Sequence, residues 1–127
     1  MTDPDDAPAR YVFRVTYRLA PGEGLAVDPD HFETVLYRTA DPPGEDGWLF
    51  FRDNLWRGEL ADEGHFRRQA EDALGVPVES ASFSELQTDE AYLDDLRAAI
   101  ADDLDAFNAE NVTEVLSKYL GSSIRVE

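Results

Sequence analysis

Residues 10–19 read RYVFRVTYRL, and the fold turns on how that run is taken. Tyr11, Phe13, Val15, Tyr17 and Leu19 alternate with Arg10, Val12, Arg14, Thr16 and Arg18. A period of two, carried by aromatic and β-branched residues, marks a strand with one buried face and one wet face. Upstream, residues 1–9 are acidic and carry two prolines, which predicts a frayed tail and leaves 10–127 as a single domain. An acidic start lacks the basic-then-apolar order of a secretory leader, so none is expected.

Downstream, APGEG and DPDH flank a loop, and FETVLYRT (32–39) reads as a second strand. ADPPGEDG (40–47) is a turn-rich connection. WLFFRDNLW (48–56) reads as a third strand, its Trp48–Phe51 run suited to burial from both sides. A helix is predicted over 62–74, with Asp62 as N-cap, Phe66 and Ala70 on its inner stripe, and Gly75 at its end. VPVESASFSEL (76–86) reads as a fourth strand, followed by a long helix over 88–107. That helix sets Leu93, Leu96, Ile100, Leu104 and Phe107 at spacings of three and four. Asn111 and Glu114 form a capping-box-like start to a last helix. Gly121 stops it, and SSIRVE adds a short strand. The fold class is α+β: an antiparallel meander, then β-α-β, in a two-layer sandwich with helices on one sheet face.

Charge dominates the composition. Asp and Glu number 28 against 11 Lys and Arg, a net charge of −17, and ten of the eleven bases are Arg. At low salt this density of like charge destabilises a compact chain. In molar salt the screening length falls to roughly 3 Å and the repulsion fades. The balance predicts a salt-adapted cytoplasmic protein. A GC-rich genome would also favour Arg over Lys, but it leaves the net charge unexplained. Both halves are net acidic, so a nucleic-acid partner is not expected, and phosphate attraction would collapse in molar salt. No apolar run reaches the roughly 20 residues that cross a bilayer. The absence of Cys rules out thiolate catalysis, thiolate metal sites and disulfides.

Candidate chemistry is sparse. Asp94, Asp95, Asp102, Asp103 and Asp105 lie opposite the Leu/Ile stripe of the long helix and read as a solvated face. Asp28, Asp30, His31 and Glu33, with His65, are a possible hard-ligand set for a small metal-dependent hydrolase, but they lack ligand spacing. No cofactor is expected, because no phosphate loop, nucleophile elbow or dinucleotide fingerprint occurs. Arg10, Arg14 and Arg18 share one strand face. If the register aligns Arg38 and Arg52 with them, that face would hold a small anionic ligand or an acidic protein segment. Solvated ion pairs with Glu33, Asp53 and the acidic helices are the competing expectation.

The stretch NLWRGE (54–59) closes the third strand. Leu55 is expected at the core edge, and Gly58 permits a sharp turn. Trp56 is expected to plug the end of the sandwich while Arg57 bonds turn carbonyls or Asp62. The competing reading is an exposed aromatic-plus-Arg hot spot in a non-enzymatic binding domain. Leu55-Trp56-Arg57, in a small acidic chain ending in KYLGSSIRV (118–126), resembles the haloarchaeal family known as LWR-salt protein. The resemblance spans most of the chain and implies a saline habitat. It makes Leu55, Trp56 and Arg57 the naming motif, and implies no catalytic residue and no cofactor.

Overall fold

The structure, a computed structural model, describes residues 8–19, 24–28 and 30–127. Most of the expected tail, and part of the loop between the first two strands, lie outside the described residues. The elements run β1 (Ala9–Arg18), β2 (His31–Thr39), α1 (Phe50–Asn54), β3 (Leu55–Trp56), β4 (Glu59–Leu60), α2 (Glu63–Leu74), β5 (Val78–Thr88) and α3 (Glu90–Asp102). A 3-10 turn (Leu104–Phe107), α4 (Val112–Tyr119) and β6 (Ile124–Val126) complete the chain. Four strands form one sheet in the order β2-β1-β5-β6, and β3-β4 form a separate two-stranded hairpin. The α+β class is therefore found.

Alternation in β1 holds except at Val12, which is buried although it shares the outer face with Arg14 and Arg18. Ala9, Tyr11, Phe13 and Val15 are buried, whereas Arg14 and Arg18 are exposed. The buried face carries the core: Phe51 from α1, Leu93, Leu96 and Ile100 from α3, and Val115 and Tyr119 from α4 pack with Tyr11 and Phe13. Ala70 of α2 packs with Val15, Val78 and Ala81. All four helices thus serve one sheet face, giving the two-layer arrangement.

The meander needs a correction. β1 and β2 do pair antiparallel, but WLFFRDNLW is not a third strand of the sheet. It forms α1 and then the two residues of β3. Trp48, Phe51 and Leu55 recur at spacings of three and four, which is a helical repeat, and Phe51 and Leu55 are almost fully buried. A short unbroken apolar run cannot by itself distinguish a strand from a buried helix. The position beside β1 is taken by β5 instead, antiparallel and with two register shifts. Those shifts leave Ser84 and Glu79 as extra residues. β6 then pairs parallel to β5 through Leu86, Gln87 and Thr88.

The predicted caps of α2 and α4 hold. The Asp62 carboxylate accepts from His65 N–H at 3.0 Å, and Asn111 Oδ1 accepts from Glu114 N–H at 2.8 Å. Gly75 sits left-handed at the end of α2. The long predicted helix over 88–107 is shorter: α3 stops at Asp102, and Leu104–Phe107 tighten into the 3-10 turn.

Tyr11 of β1 and Tyr92 of α3 are both buried. Tyr92 Oη donates to the Asp41 carbonyl at 2.7 Å. Burial pushes both phenols well above the ordinary value of 10.0, and the Asp41 carboxylate pushes the same way.

Candidate functional site

The Leu-Trp-Arg segment is a hairpin no wider than two residues. Leu55 pairs with Leu60 and Trp56 with Glu59, so Arg57 and Gly58 are the two turn residues. Both have positive φ, 53° and 79°, the conformation of a type I′ turn. Glycine takes that backbone without cost. Arginine does not, and Asn is the residue such a turn ordinarily selects at its first central position.

The turn docks on the end of α4. Arg57 N–H donates to the Lys118 carbonyl at 2.8 Å, and Gly58 N–H to the Tyr119 carbonyl at 3.0 Å. These are carbonyls of the last helical turn, which lack partners within their own helix. A Cβ on Gly58 would stand 3.1 Å from the Leu120 carbonyl oxygen, and one on Gly121 would stand 3.4 Å from the Arg57 backbone. The two stretches NLWRGE and KYLGSS, 60 positions apart at Gly58 and Lys118, therefore fit against each other backbone to backbone.

Side chains divide across this hairpin. Leu55 is buried against the core. Trp56 is 44% exposed, so it does not plug the sandwich; Leu55 fills that place, and the pleat turns Trp56 outward. The Trp56 ring stands edge-on to Tyr119 at 5.8 Å. The Arg57 guanidinium lies 5.7 Å from the indole centroid, and Lys118 Nζ lies 5.8 Å from it. Lys118 also donates to the Phe107 carbonyl at 3.1 Å, which fixes its position. Among the described residues Arg57 makes no side-chain hydrogen bond or ion pair. The expected bond to turn carbonyls or Asp62 is thus replaced by its backbone N–H on Lys118. Trp56, Arg57, Glu114, Ser117 and Lys118 line an open groove of about 610 Å³.

The arginine row assembles only in part. Arg14 and Arg18 do share the outer face of β1, where Arg14 meets Glu33 at 3.7 Å and Arg18 meets Asp30 at 3.5 Å. Arg38 pairs in register with Tyr11, on the other face, and its guanidinium covers the Phe50 ring at 4.4 Å. Arg52 belongs to α1, not a strand; it bonds Asp53 at 3.0 Å and the Ala106 carbonyl at 3.4 Å. The register separates Arg38 from the row, and the helical turn removes Arg52.

The histidines are likewise apart. His31 Nδ1 meets Glu79 at 2.8 Å and its Nε2 meets Asp30 at 3.3 Å, the bulge at Glu79 aiming that carboxylate across the end of β1. His65 stands in the first turn of α2. Among the described residues no three His, Asp or Glu side chains gather into a metal-binding group.

Lys118 and Tyr119 are the site residues that the sequence reading missed as such. Their signal lies in KYLGSSIRV, a terminal stretch whose spatial partner no local pattern reveals.

Fold and site together define a small α+β domain with a tryptophan–cation turn mounted on a helix end. The chain belongs to the LWR-salt protein family, whose profile matches residues 7–127. Neither curated proteins nor solved structures match it. No helix among the described residues is long and apolar enough to cross a membrane.

Proposed function

We propose that the protein is a salt-adapted, non-enzymatic binding domain whose contact surface is the Trp56–Arg57–Lys118 turn, taking a carboxylate- or phosphate-bearing partner. The observation that carries this is Arg57 itself. It occupies a left-handed position at φ 53° that Asn or Gly would fill with less strain, and it holds a guanidinium without an ion-pair partner among the described residues. Strained backbone held in place by its surroundings, as Arg57 is by the Lys118 carbonyl, clusters at binding sites and ligand clamps. A second cation, Lys118, lies over the same indole, with Glu114 in the lining of the same groove.

Screening in molar salt removes long-range steering but leaves short-range contacts. Bidentate guanidinium bonds and a large aromatic face are the contacts suited to that solvent. In this reading Leu55 anchors the turn, and Arg14, Arg18, Arg38 and Arg52 belong to local ion-pair and stacking contacts.

Affinity capture in molar KCl tests the proposal, comparing wild type with Arg57→Gly and Trp56→Ala. Arg57→Gly relaxes the turn, so lost binding cannot be ascribed to lost fold. A bound species released by both variants supports the proposal; a bound set unchanged by either overturns it.

A further inference from the structure

We infer that the outer edge of β2, which no described strand covers, is a self-association surface, on which a second copy of this chain adds antiparallel to form one continuous sheet. β2 ends the sheet order. The β1–β2 ladder is bracketed by Ala40 N–H to the Ala9 carbonyl and Leu19 N–H to the Asp30 carbonyl. Antiparallel bonding alternates. Residues 32, 34, 36 and 38 therefore face β1, and His31, Glu33, Val35, Tyr37 and Thr39 direct their N–H and C=O groups away from the sheet.

Edges of this kind are ordinarily protected by proline, lysine, a bulge or short length. β2 is nine residues long, contains neither Pro nor Lys, and keeps unbroken register with β1. Among its exposed residues, which include His31, Glu33 and Arg38, two are apolar: Val35 is 39% and Tyr37 44% exposed, the Tyr37 ring carrying the Arg10 guanidinium on one face at 4.1 Å. Leu25 and Val27, in the loop just before it, are 75% and 37% exposed. Four of the six large hydrophobics exposed among the described residues thus lie on β2 or its approach.

Charge favours a second copy at this edge over other places on the molecule. β2 carries one acid, Glu33, and one base, Arg38, so it is formally neutral within a strongly acidic chain. Side chains on opposed antiparallel residues share a face, and the sheets match only when paired numbers sum to an even value. The register that sets Val35 opposite Tyr37 of the second copy satisfies this. It brings the two exposed apolar residues together twice about the twofold axis. It also sets Glu33 opposite Thr39 and Arg38 opposite Thr34, so no like charges stand opposed. Molar salt screens the remaining repulsion between acidic copies while apolar contact and ladder hydrogen bonds persist.

Sedimentation velocity in molar KCl, over a dilution series, reads the association. Val35→Pro deletes an outward N–H and leaves the bonds to β1 intact, as an edge strand permits. Tyr37→Lys places a charge at the same contact. Val126→Lys, on the far edge strand β6, is the control. The expected result is a dimer whose Kd rises by at least about tenfold in the first two variants and not in the control. Amide exchange on the wild type gives an independent reading that needs no variant: Glu33, Val35 and Tyr37 should gain protection as concentration rises. A monomer throughout the series, a dimer unmoved by both β2 variants, or exchange at those amides independent of concentration would each overturn the inference.

Discussion

Arg57, Gly58 and Trp56 make opposite demands on the chain, and their substitutions should separate fold from function. Gly58 holds φ 79° with a carbonyl 3.1 Å from where a Cβ would stand. Gly58→Ala is expected to cost at least about 1–2 kcal/mol from the backbone alone, with the Leu120 contact adding to it. Arg57→Gly relieves the neighbouring strain, so unfolding in urea at high salt should find it no less stable than wild type. Trp56→Ala removes a ring that is half in water, and a loss of about 1–2 kcal/mol is expected. Leu55→Ala, which empties a buried site, should cost about 2–5 kcal/mol. Equal losses for Trp56→Ala and Leu55→Ala would mean that the indole is a structural plug after all.

At the scale of elements, the parts of the fold legible in the sequence are those where one physical signal acts alone. β1 is alternation with aromatic residues, and nothing competes with it. Asp62, Asn111 and Gly75 are capping residues at the ends of apolar stripes, and each caps as predicted. The segment 48–56 reads as a strand in the sequence because its apolar run satisfies strand and helix alike, and only tertiary packing of Phe51 and Leu55 decides. Trp56 was harder still. Its exposure depends on a hairpin of two residues per strand, whose partner is the end of a helix 60 positions away in sequence. No local pattern encodes that docking, nor the separation of Arg38 from Arg14, which follows from register. The junction of β1, α3 and the Asp41 loop supplies a prediction at this scale. Tyr11 and Tyr92 have phenol pKa values raised in the folded state, so folding favours their neutral forms. Their stabilisation is complete below the ordinary value of 10.0 and declines as pH rises through and beyond it, because the unfolded chain releases those protons first. Urea midpoints between pH 8 and 12 should fall, and fall less steeply in Tyr11→Phe; the same slope in that variant would place the alkaline instability elsewhere.

Across the whole molecule, a net charge of −17 acts on every element at once. Exposed carboxylates stud α3 and the turn after it: Asp94 and Asp95 in the first half of the helix, Asp102, Asp103 and Asp105 at its end and just beyond, with Arg97, which faces Asp94, the one base on that helix. Asp102 and Asp103 stand at the negative end of the helix dipole, where a cation would be favoured. At low ionic strength these charges repel over roughly a Debye length of 10–30 Å, comparable to the domain itself; in molar salt that length is about 3 Å. Thermal stability should therefore climb with KCl, and the protein should unfold partly or wholly below a few tenths molar. Two mechanisms contribute, screening of carboxylates and salting-out of apolar groups, and they can be told apart. Screening depends on ionic strength, whereas sulfate strengthens apolar burial beyond chloride. Asp94→Asn, Asp102→Asn and Asp103→Asn combined should shift the KCl requirement downward if screening dominates, and leave it in place if salting-out dominates. A melting temperature independent of KCl in the wild type would remove the salt-adapted reading altogether and leave the charge to solubility alone.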